Sequence, residues 1–294
     1  MEGGYPHNGI ESIDHPVIAA GDLDAARAAY TKLGFTVPPR GSHVEWGTGN
    51  LCIMFPDDYL EIRGIIDASR FTMHLDAHLE QFGDGLMGIA FGTSDVRVSH
   101  DAATEHGIEA GKIRHLTRNF EHPDGWTQPS FDLFAPAADD IEGLMHVVII
   151  QHLTPELIRR PEFLVHRNGC VGVDSMAGTI YDVESCATKM RHLLGDRAVA
   201  VKEDGIILQL PSAQHIELLL PDTYLQIFGD IAPSPNPEMP RLGAMTLRVE
   251  NLSKVKSSLA ANDVIFTEPQ IGLLRVAADE TCGVTLQFTE SLRA

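Results

Sequence analysis

The stretch Ile13-Asp14-His15-Pro16-Val17-Ile18-Ala19-Ala20-Gly21-Asp22-Leu23 begins the unit from which the whole chain is built. It contains a short apolar segment that carries one histidine, and Asp22 and Leu23 then form a turn. Residues 24–33 have the composition of a helix, and Gly34 lies where a helix commonly ends. We therefore predict a strand, a turn and a helix in this order.

Three more strands follow this helix. Phe35-Thr36-Val37 is predicted to begin a strand that Pro38-Pro39 interrupts, and residues 42–50, 51–55 and 59–65 alternate apolar segments with turns. The first unit is therefore predicted to contain one strand, one helix and then three strands.

The same order recurs three more times, at a spacing of about seventy residues, which indicates an internal repeat. The later copies begin near Leu86, Gly172 and Leu242. One helix over a small sheet leaves a sheet face and sheet edges exposed, and pairing two copies would close them into a partial barrel. We predict an α+β fold of four βαβββ modules, paired into two half-barrel domains.

The predicted boundaries follow from the repeat. The N-terminal domain comprises residues 1–152, a connection comprises 153–169, and the C-terminal domain comprises 170–294. A proline-rich stretch at 232–237 links the last two modules.

Charge and composition exclude several classes of partner. The 294 residues include 22 Lys and Arg against 41 Asp and Glu, a formal net charge of −19 at pH 7, which repels nucleic acid and anionic lipid. The longest apolar run, near 144–150, is far too short to span a bilayer. The four cysteines lie far apart, so neither a zinc knuckle nor a disulfide framework is expected. We predict a cytoplasmic protein with no nucleic-acid or membrane partner.

The repeat and its motifs resemble the vicinal oxygen chelate superfamily, and more narrowly its glyoxalase-like domain proteins. The resemblance spans nearly the whole chain and is carried by Asp14-His15 before Asp22-Leu23, Leu33-Gly34-Phe35, Gly47-Thr48-Gly49-Asn50, Tyr59-Leu60-Glu61, and the segments 151–156 and 166–169. The superfamily includes ring-cleaving dioxygenases, lyases, epimerases and metal-free drug-binding proteins. The resemblance therefore implies a fold without settling the chemistry.

The resemblance also implies where a metal would bind. In enzymes of the superfamily, His and Glu side chains on the first and last strands of paired modules hold a divalent metal ion. His15 matches the first-strand position and Glu61 the last-strand position of module one. Module two has Gly88 at its first-strand position, which cannot ligate, and its closing strand supplies Gln151 or His152.

Strand periodicity supports part of this set independently. Alternation gives Tyr59, Glu61 and Arg63 one face of their strand, and Glu61 points into the barrel if Leu60 and Ile62 pack under the helix. A set of two histidines and one carboxylate favours Fe2+, and Mn2+ or Zn2+ would also accept it. We predict the metal ligands His15, Glu61 and His152.

Simpler roles for these residues stay open. His15 is also compatible with a hydrogen-bonded core residue, Glu61 with an ion pair to Arg63, and His152 with a turn cap. A one-residue slip of the closing strand would turn Gln151 inward instead of His152, and His146 is a fallback on the same face.

Other candidate residues should flank the same cavity. His43 is a candidate for proton transfer, because an unperturbed imidazole titrates near neutrality. Trp46 and Asn50 are predicted to contact substrate, although the segment 47–50 is equally compatible with a plain hairpin turn. Arg118 could anchor a substrate carboxylate or ketone oxygen, and Trp126 could form a wall of the pocket, although this segment would look similar as an exposed loop.

The second pair of modules lacks the histidines. Its equivalent positions are Ser175, Glu217, Ala244 and Gln287, so the C-terminal half is predicted to be a structural copy or to form a homodimer. In the extradiol dioxygenases of the superfamily the metal lies in the second half, and this difference weakens the transfer of catechol cleavage to this chain.

The leading hypothesis is a metal-dependent enzyme that acts on a small, oxygen-bearing organic molecule in the first half-barrel, with chemistry of the Fe2+ dioxygenase type. One alternative is a lyase or isomerase of the glyoxalase type. The other is a metal-free protein that binds a small molecule in the same cavity.

Overall fold

The computed structural model describes residues 6–43, 46–236 and 240–290, and its elements follow the predicted order. Module one contains β1 (Ser12–Ala19), α1 (Leu23–Lys32), β2 (Gly41–Ser42), β3 (Thr48–Met54) and β4 (Tyr59–Ile65), and α2 (Leu75–Phe82) follows it. Module two contains β5 (Gly85–Gly92), α3 (Val96–Glu105), β6 (Arg114–Thr117), β7 (Phe120–His122), β8 (Gly125–Thr127), β9 (Ser130–Phe134) and β10 (Val147–His152).

The C-terminal half repeats this arrangement without the β7–β8 hairpin, which forms a separate two-stranded sheet. Module three contains β11 (Cys170–Thr179), α4 (Val183–Leu194), β12 (Val199–Lys202), β13 (Gly205–Gln209) and β14 (His215–Leu219), and α5 (Pro221–Phe228) follows it. Module four contains β15 (Leu242–Val249), α6 (Leu252–Ala260), β16 (Thr267–Gln270), β17 (Leu273–Val276) and β18 (Thr285–Glu290). The predicted strand at Phe35–Val37 is absent, since these residues lie outside any strand ahead of Pro38-Pro39, where two backbone donors are missing.

The helices begin at the residue type that marks each repeat. The side chains of four residues accept hydrogen bonds from backbone amides in the first turn of the helix that follows: Asp22, Asp95, Asp182 and Asn251. A short Asp or Asn side chain satisfies donors that a helix N-terminus leaves without partners. The repeated Asp or Asn turn is therefore the N-cap of each module's helix.

The modules pair into two eight-stranded sheets, as predicted. The first has the strand order β2-β3-β4-β1-β5-β10-β9-β6, and the second has the equivalent order β12-β13-β14-β11-β15-β18-β17-β16. Within each sheet, the first strands of the two modules pair in antiparallel orientation at the centre. A β-bridge between Ser42 and Asn119 joins the two edges of the first sheet, which therefore curls around its interior.

The two halves share one apolar core, in which the rings of Phe35 and Phe288 stack with centroids 6.5 Å apart. Asp58, in the turn between β3 and β4, reaches into the second half, where its carboxylate accepts hydrogen bonds from Val173 N at 2.9 Å and Gln214 Nε2 at 3.0 Å. The connection 153–169 also packs on the first half, since His166 Nε2 lies 2.9 Å from the Met54 carbonyl oxygen. The domain boundaries themselves stay predictions.

In the part of the chain that the structure describes, no helix has the length and apolar character needed to cross a membrane.

Gly88 is required by a close approach between β5 and the residue before β10. A Cβ atom at Gly88 would lie 2.1 Å from the carbonyl oxygen of His146, which accepts a hydrogen bond from Ile89 N. We expect Gly88→Ala to lower the free energy of unfolding by about 3 kcal/mol, because this backbone contact cannot yield cheaply. Ala244→Gly at the equivalent position of the second half should cost only about 1 kcal/mol. Urea unfolding tests both, and a smaller cost for Gly88→Ala would contradict this account.

Asp58 should make stability depend on pH. Burial raises the pKa of Asp58 to about 7, although the hydrogen bond from Val173 and the charge of Arg248 oppose the rise. Because the folded state then holds its proton more tightly than the unfolded state, this residue's contribution to stability should fall as pH rises from about 4 to 7 and level off above. The slope should approach about 1.4 kcal/mol per pH unit.

Urea unfolding of the wild type and of Asp58→Asn across this pH range isolates that contribution, since histidines titrate alike in both proteins. Parallel curves for the two proteins would contradict the assignment.

Candidate functional site

The first sheet encloses a cavity of about 300 Å³. Its lining combines titratable groups from β1 and β4 with aromatic and aliphatic groups from β9, β10 and nearby loops. Among the lining residues are His15, His43, Trp46, Tyr59, Glu61, Arg63, His115, Arg118, Phe131, His146, Val148, Ile150 and His152. The cavity therefore contains most of the residues that sequence reasoning selected.

An irregularity in β1 brings two consecutive polar residues to this side of the sheet. The register between β1 and β5 shifts between Ile13 and His15, so Asp14 has no partner in the ladder. Asp14 Oδ1 lies 2.6 Å from His15 Nδ1 and 3.1 Å from His152 Nε2, and all three side chains are largely buried. One carboxylate thus holds both imidazoles, and a strict two-residue alternation could not have predicted it.

Glu61 lies beside His15 and is fully engaged. Its Oε2 lies 3.5 Å from His15 Nε2 and accepts a hydrogen bond from Arg63 Nη2 at 2.6 Å, while Oε1 accepts one from Asn50 Nδ2 at 2.7 Å. Burial alone would raise the pKa of Glu61, but Arg63 and His15 outweigh it and hold the pKa well below its ordinary value. Leu60 and Ile62 pack in the core on the opposite face, as the alternation predicts.

The pKa of His15 responds to the same carboxylates. Burial would lower it, but the hydrogen bonds to Asp14 and Glu61 outweigh this effect, and the pKa is raised. The ring of Tyr59 stacks on that of His15 with centroids 4.2 Å apart. His15 is therefore fixed from three directions.

His152, and not Gln151, faces the cavity. The side chain of Gln151 lies toward α3, where it accepts from Val96 N and donates to the Ser94 carbonyl oxygen. The Nδ1 atom of His152 is buried and has no hydrogen-bond partner. In module one Glu61 pairs with Val17, and in module two Val148 pairs with Ala90. Val148 is therefore the position equivalent to Glu61. His152 lies four residues further along the same face.

His43 also lies at the cavity, with Nε2 3.8 Å from Glu61 Oε1 and Nδ1 2.8 Å from Thr48 Oγ1. Burial lowers the pKa of His43 to about 4, with Arg63 and Arg118 adding to the effect and Glu61 opposing it. His43 is thus neutral at physiological pH.

The predicted substrate-contacting residues separate into two groups. Trp46 and Arg118 line the cavity, whereas Asn50 is held by Glu61. Trp126 lies on the β7–β8 hairpin with 64% of its surface exposed, next to Asn119 and Gln128, and is not brought to the cavity. The sequence around Trp126 has no apolar alternation that would indicate the direction of its side chain.

Sequence reasoning missed Asp14 and His115 as site residues and left His146 a fallback. His115, at the cavity mouth, pairs with Asp132 at 2.7 Å. Burial lowers the pKa of His146 to about 4, and Arg63 and His74 add to this effect. Asp14 precedes His15 in the sequence, but only the irregularity in β1 brings its carboxylate to both histidines.

The equivalent interior of the second half contains different chemistry. In the second half, Glu217 pairs with Ala177 and Gln287 pairs with Thr246, just as Glu61 pairs with Val17 in the first half. In the amide orientation that satisfies both partners, Gln287 donates to Thr246 and accepts from Arg275. This half therefore has no imidazole at the position of His15.

The first half contains side chains of the types that bind a divalent metal ion. His15 and His152 each direct one ring nitrogen at Asp14, the outer carboxylate arrangement common for metal-binding histidines, and this leaves His15 Nε2 and the unpartnered His152 Nδ1 as donors. The carboxylate of Glu61 has lone pairs beyond those used by Arg63 and Asn50. The donor chemistry fits a metal, although no three His, Cys, Asp or Glu side chains are already gathered into a metal-sized group within the described residues.

Two curled sheets built from paired βαβββ modules define this protein as a member of the vicinal oxygen chelate superfamily. The family described as "Glyoxalase-like domain" matches residues 13–194, more than half of the chain, and the protein belongs to that family. No curated protein sequence matches the chain.

Several solved structures share the fold. A hypothetical protein from Staphylococcus aureus has a TM-score of 0.67 and 9% identity, covering 95% of this chain and 99% of that one. A triple mutant of 4-hydroxymandelate synthase from Streptomyces coelicolor has a TM-score of 0.61 and 12% identity, covering 96% and 93%. A xylose isomerase-like TIM barrel/4-hydroxyphenylpyruvate dioxygenase fusion protein has a TM-score of 0.57 and 11% identity. The match covers 99% of this chain and 50% of the fusion protein.

Asp14 can be tested as the group that fixes both imidazoles. Asp14→Asn removes the shared charge from two buried rings and should lower the free energy of unfolding by about 3 kcal/mol. Asp132→Asn is a matched control, because its 2.7 Å contact to His115 lies in a more exposed setting and should contribute less than about 1 kcal/mol. Urea unfolding measures both, and equal losses would show that Asp14 has no special role.

Proposed function

We propose that the first half-barrel is a metal-dependent active site with chemistry of the dioxygenase type, acting on a small, oxygen-bearing organic molecule. The observation that carries this proposal is the pair of imidazoles, His15 and His152, held by the single buried carboxylate of Asp14 beside Glu61. Such a network leaves one nitrogen on each ring for a ligand.

His15, Glu61 and His152 would hold the metal, with Fe2+ favoured and Mn2+ or Zn2+ as alternatives. When bound, the metal supplies Lewis-acid polarisation or oxygen activation. The neutral imidazole of His43 accepts a proton from the substrate, and Arg118 orients a carboxylate or ketone oxygen. Trp46 and Phe131, which line the cavity, would limit the access of water to it.

The dioxygenase reading is preferred to a lyase or isomerase for two reasons. A glyoxalase-type site typically uses a further carboxylate, but module two has Gly88 and Val148 at the positions equivalent to His15 and Glu61, so it supplies no carboxylate there. Two of the structural relatives are also described by a synthase or dioxygenase name. The lyase and isomerase stay alternatives within the same superfamily.

One observation favours a second candidate, a metal-free protein that binds a small molecule. Arg63 Nη2 lies 2.6 Å from Glu61 Oε2, the oxygen nearest to His15. This guanidinium already supplies a positive charge where a metal would approach. A homodimer formed through the C-terminal half and a cytoplasmic location stay predictions.

Metal analysis separates the two candidates. After anaerobic purification and reconstitution with Fe2+, Mn2+ or Zn2+, we expect about one metal ion per chain in the wild type. His15→Ala, Glu61→Ala and His152→Ala should each weaken binding by at least about tenfold. Glu217→Ala, at the equivalent position of the second half, is the matched control and should bind as the wild type does.

A wild type that stays empty after reconstitution would overturn the metal-dependent enzyme and leave the binding protein. If the metal binds, oxygen uptake with catecholic and other vicinally oxygenated compounds tests the dioxygenase against the lyase, because only the dioxygenase consumes oxygen.

A further inference from the structure

Arg118 is a buried cation without a matching anion. Its side chain lines the cavity, and only 6% of the residue surface is exposed. Nη1 donates to the Cys52 sulfur at 3.1 Å, and Nη2 is buried with no hydrogen-bond partner. The rings of Tyr59 and Phe120 lie nearby, with centroids 6.0 and 5.6 Å from Cζ.

None of these neighbours supplies a negative charge. A cysteine thiol and a tyrosine hydroxyl, with ordinary pKa values of about 8.5 and about 10, carry no charge at physiological pH. Glu61, the carboxylate on the same side of the sheet, is already paired with Arg63. Within the described residues, no carboxylate forms an ion pair with Arg118.

The contrast with Arg63 is informative. Both guanidinium groups are buried in the same cavity, but Arg63 has the partner Glu61 at 2.6 Å. A buried, unpaired charge destabilises a folded protein, whereas a ligand that carries the opposite charge removes that penalty when it binds. The planar fork of a guanidinium can donate two parallel, charge-assisted hydrogen bonds to one carboxylate.

The rest of the cavity limits the ligand further. Its walls include the apolar and aromatic side chains of Trp46, Phe131, Ile150 and Ile158. Tyr59 contacts both ends of the site, since its ring is near Arg118 and stacks on His15. A volume of about 300 Å³ accommodates one small organic molecule with an apolar or aromatic body.

We propose that the ligand of this cavity is a small organic monocarboxylate with an apolar body, and that its carboxylate binds the fork of Arg118. This inference deepens the proposed function, on which it rests for the reaction, by choosing a charged carboxylate over a neutral ketone as the group at Arg118. Anion binding itself does not require the metal. The two proposals can therefore fail separately.

The test uses metal-free protein and matched pairs of probes. Propionate, phenylacetate and indole-3-acetate are titrated by calorimetry alongside their neutral amides. We expect at least one acid to bind about 10- to 100-fold more tightly than its amide, because the charge-assisted contact is lost in the amide. Arg118→Gln should remove this preference, and Arg118→Lys should retain part of it.

Arg275→Gln is a matched control in the second half, where a guanidinium of similar burial contacts a backbone carbonyl. It should leave the preference for acids unchanged.

Thermal unfolding of the free protein gives a readout that a merely structural arginine would not produce. Arg118→Gln should leave Tm unchanged or raise it by about 2–4 °C, because it removes an unpaired charge. Arg63→Gln should lower Tm, because it leaves Glu61 without its partner.

Any of four results would overturn the inference: no acid binds at millimolar concentration, acids and amides bind alike, Arg118→Gln keeps the preference for acids, or Arg118→Gln lowers Tm as Arg63→Gln does. Loss of the metal site with retained preference for acids would overturn the metal-dependent enzyme alone.

Discussion

The candidate site depends on one carboxylate that is shared by two imidazoles. Asp14 Oδ1 accepts from His15 at 2.6 Å and from His152 at 3.1 Å, and it thereby ties the first strand of module one to the last strand of module two. Burial would raise the pKa of Asp14, but the two histidines outweigh it and keep the carboxylate ionised. Each ring then keeps one nitrogen for other chemistry, which makes the pair a candidate for metal binding.

The second half supports this arrangement from behind. Gln214 Oε1 accepts from Ile13 N at 2.8 Å and its Nε2 donates to the Ile13 carbonyl oxygen at 3.2 Å, immediately before the irregularity that frees Asp14. The same amide donates to Asp58 at 3.0 Å. The second half has no histidine at the position of His15. It nevertheless contributes to the site, because Gln214 satisfies the backbone groups of Ile13 in the strand that carries His15.

Sequence patterns predicted the fold because the repeat is written in local chemistry: an apolar strand, an Asp or Asn N-cap and a helix. They also predicted the sides of Glu61 and Leu60, since a regular strand alternates. The sequence patterns did not predict side-chain positions where a strand is irregular or where a hairpin has no apolar alternation. The irregularity in β1 hid Asp14, and the β7–β8 hairpin gave no indication that Trp126 faces away. Residue types also could not reveal that Arg63 has a partner and Arg118 has none, because that difference depends on contacts between distant strands.

We propose that the functional centre lies between the strands of the first half-barrel, at His15. Anomalous diffraction from crystals of the full chain equilibrated with Mn2+ tests it most directly. We expect one strong anomalous peak in the first half-barrel, within coordination distance of His15 and Glu61. A protein that binds Mn2+ only beside Glu217 in the second half, or shows no peak in either half, would contradict it.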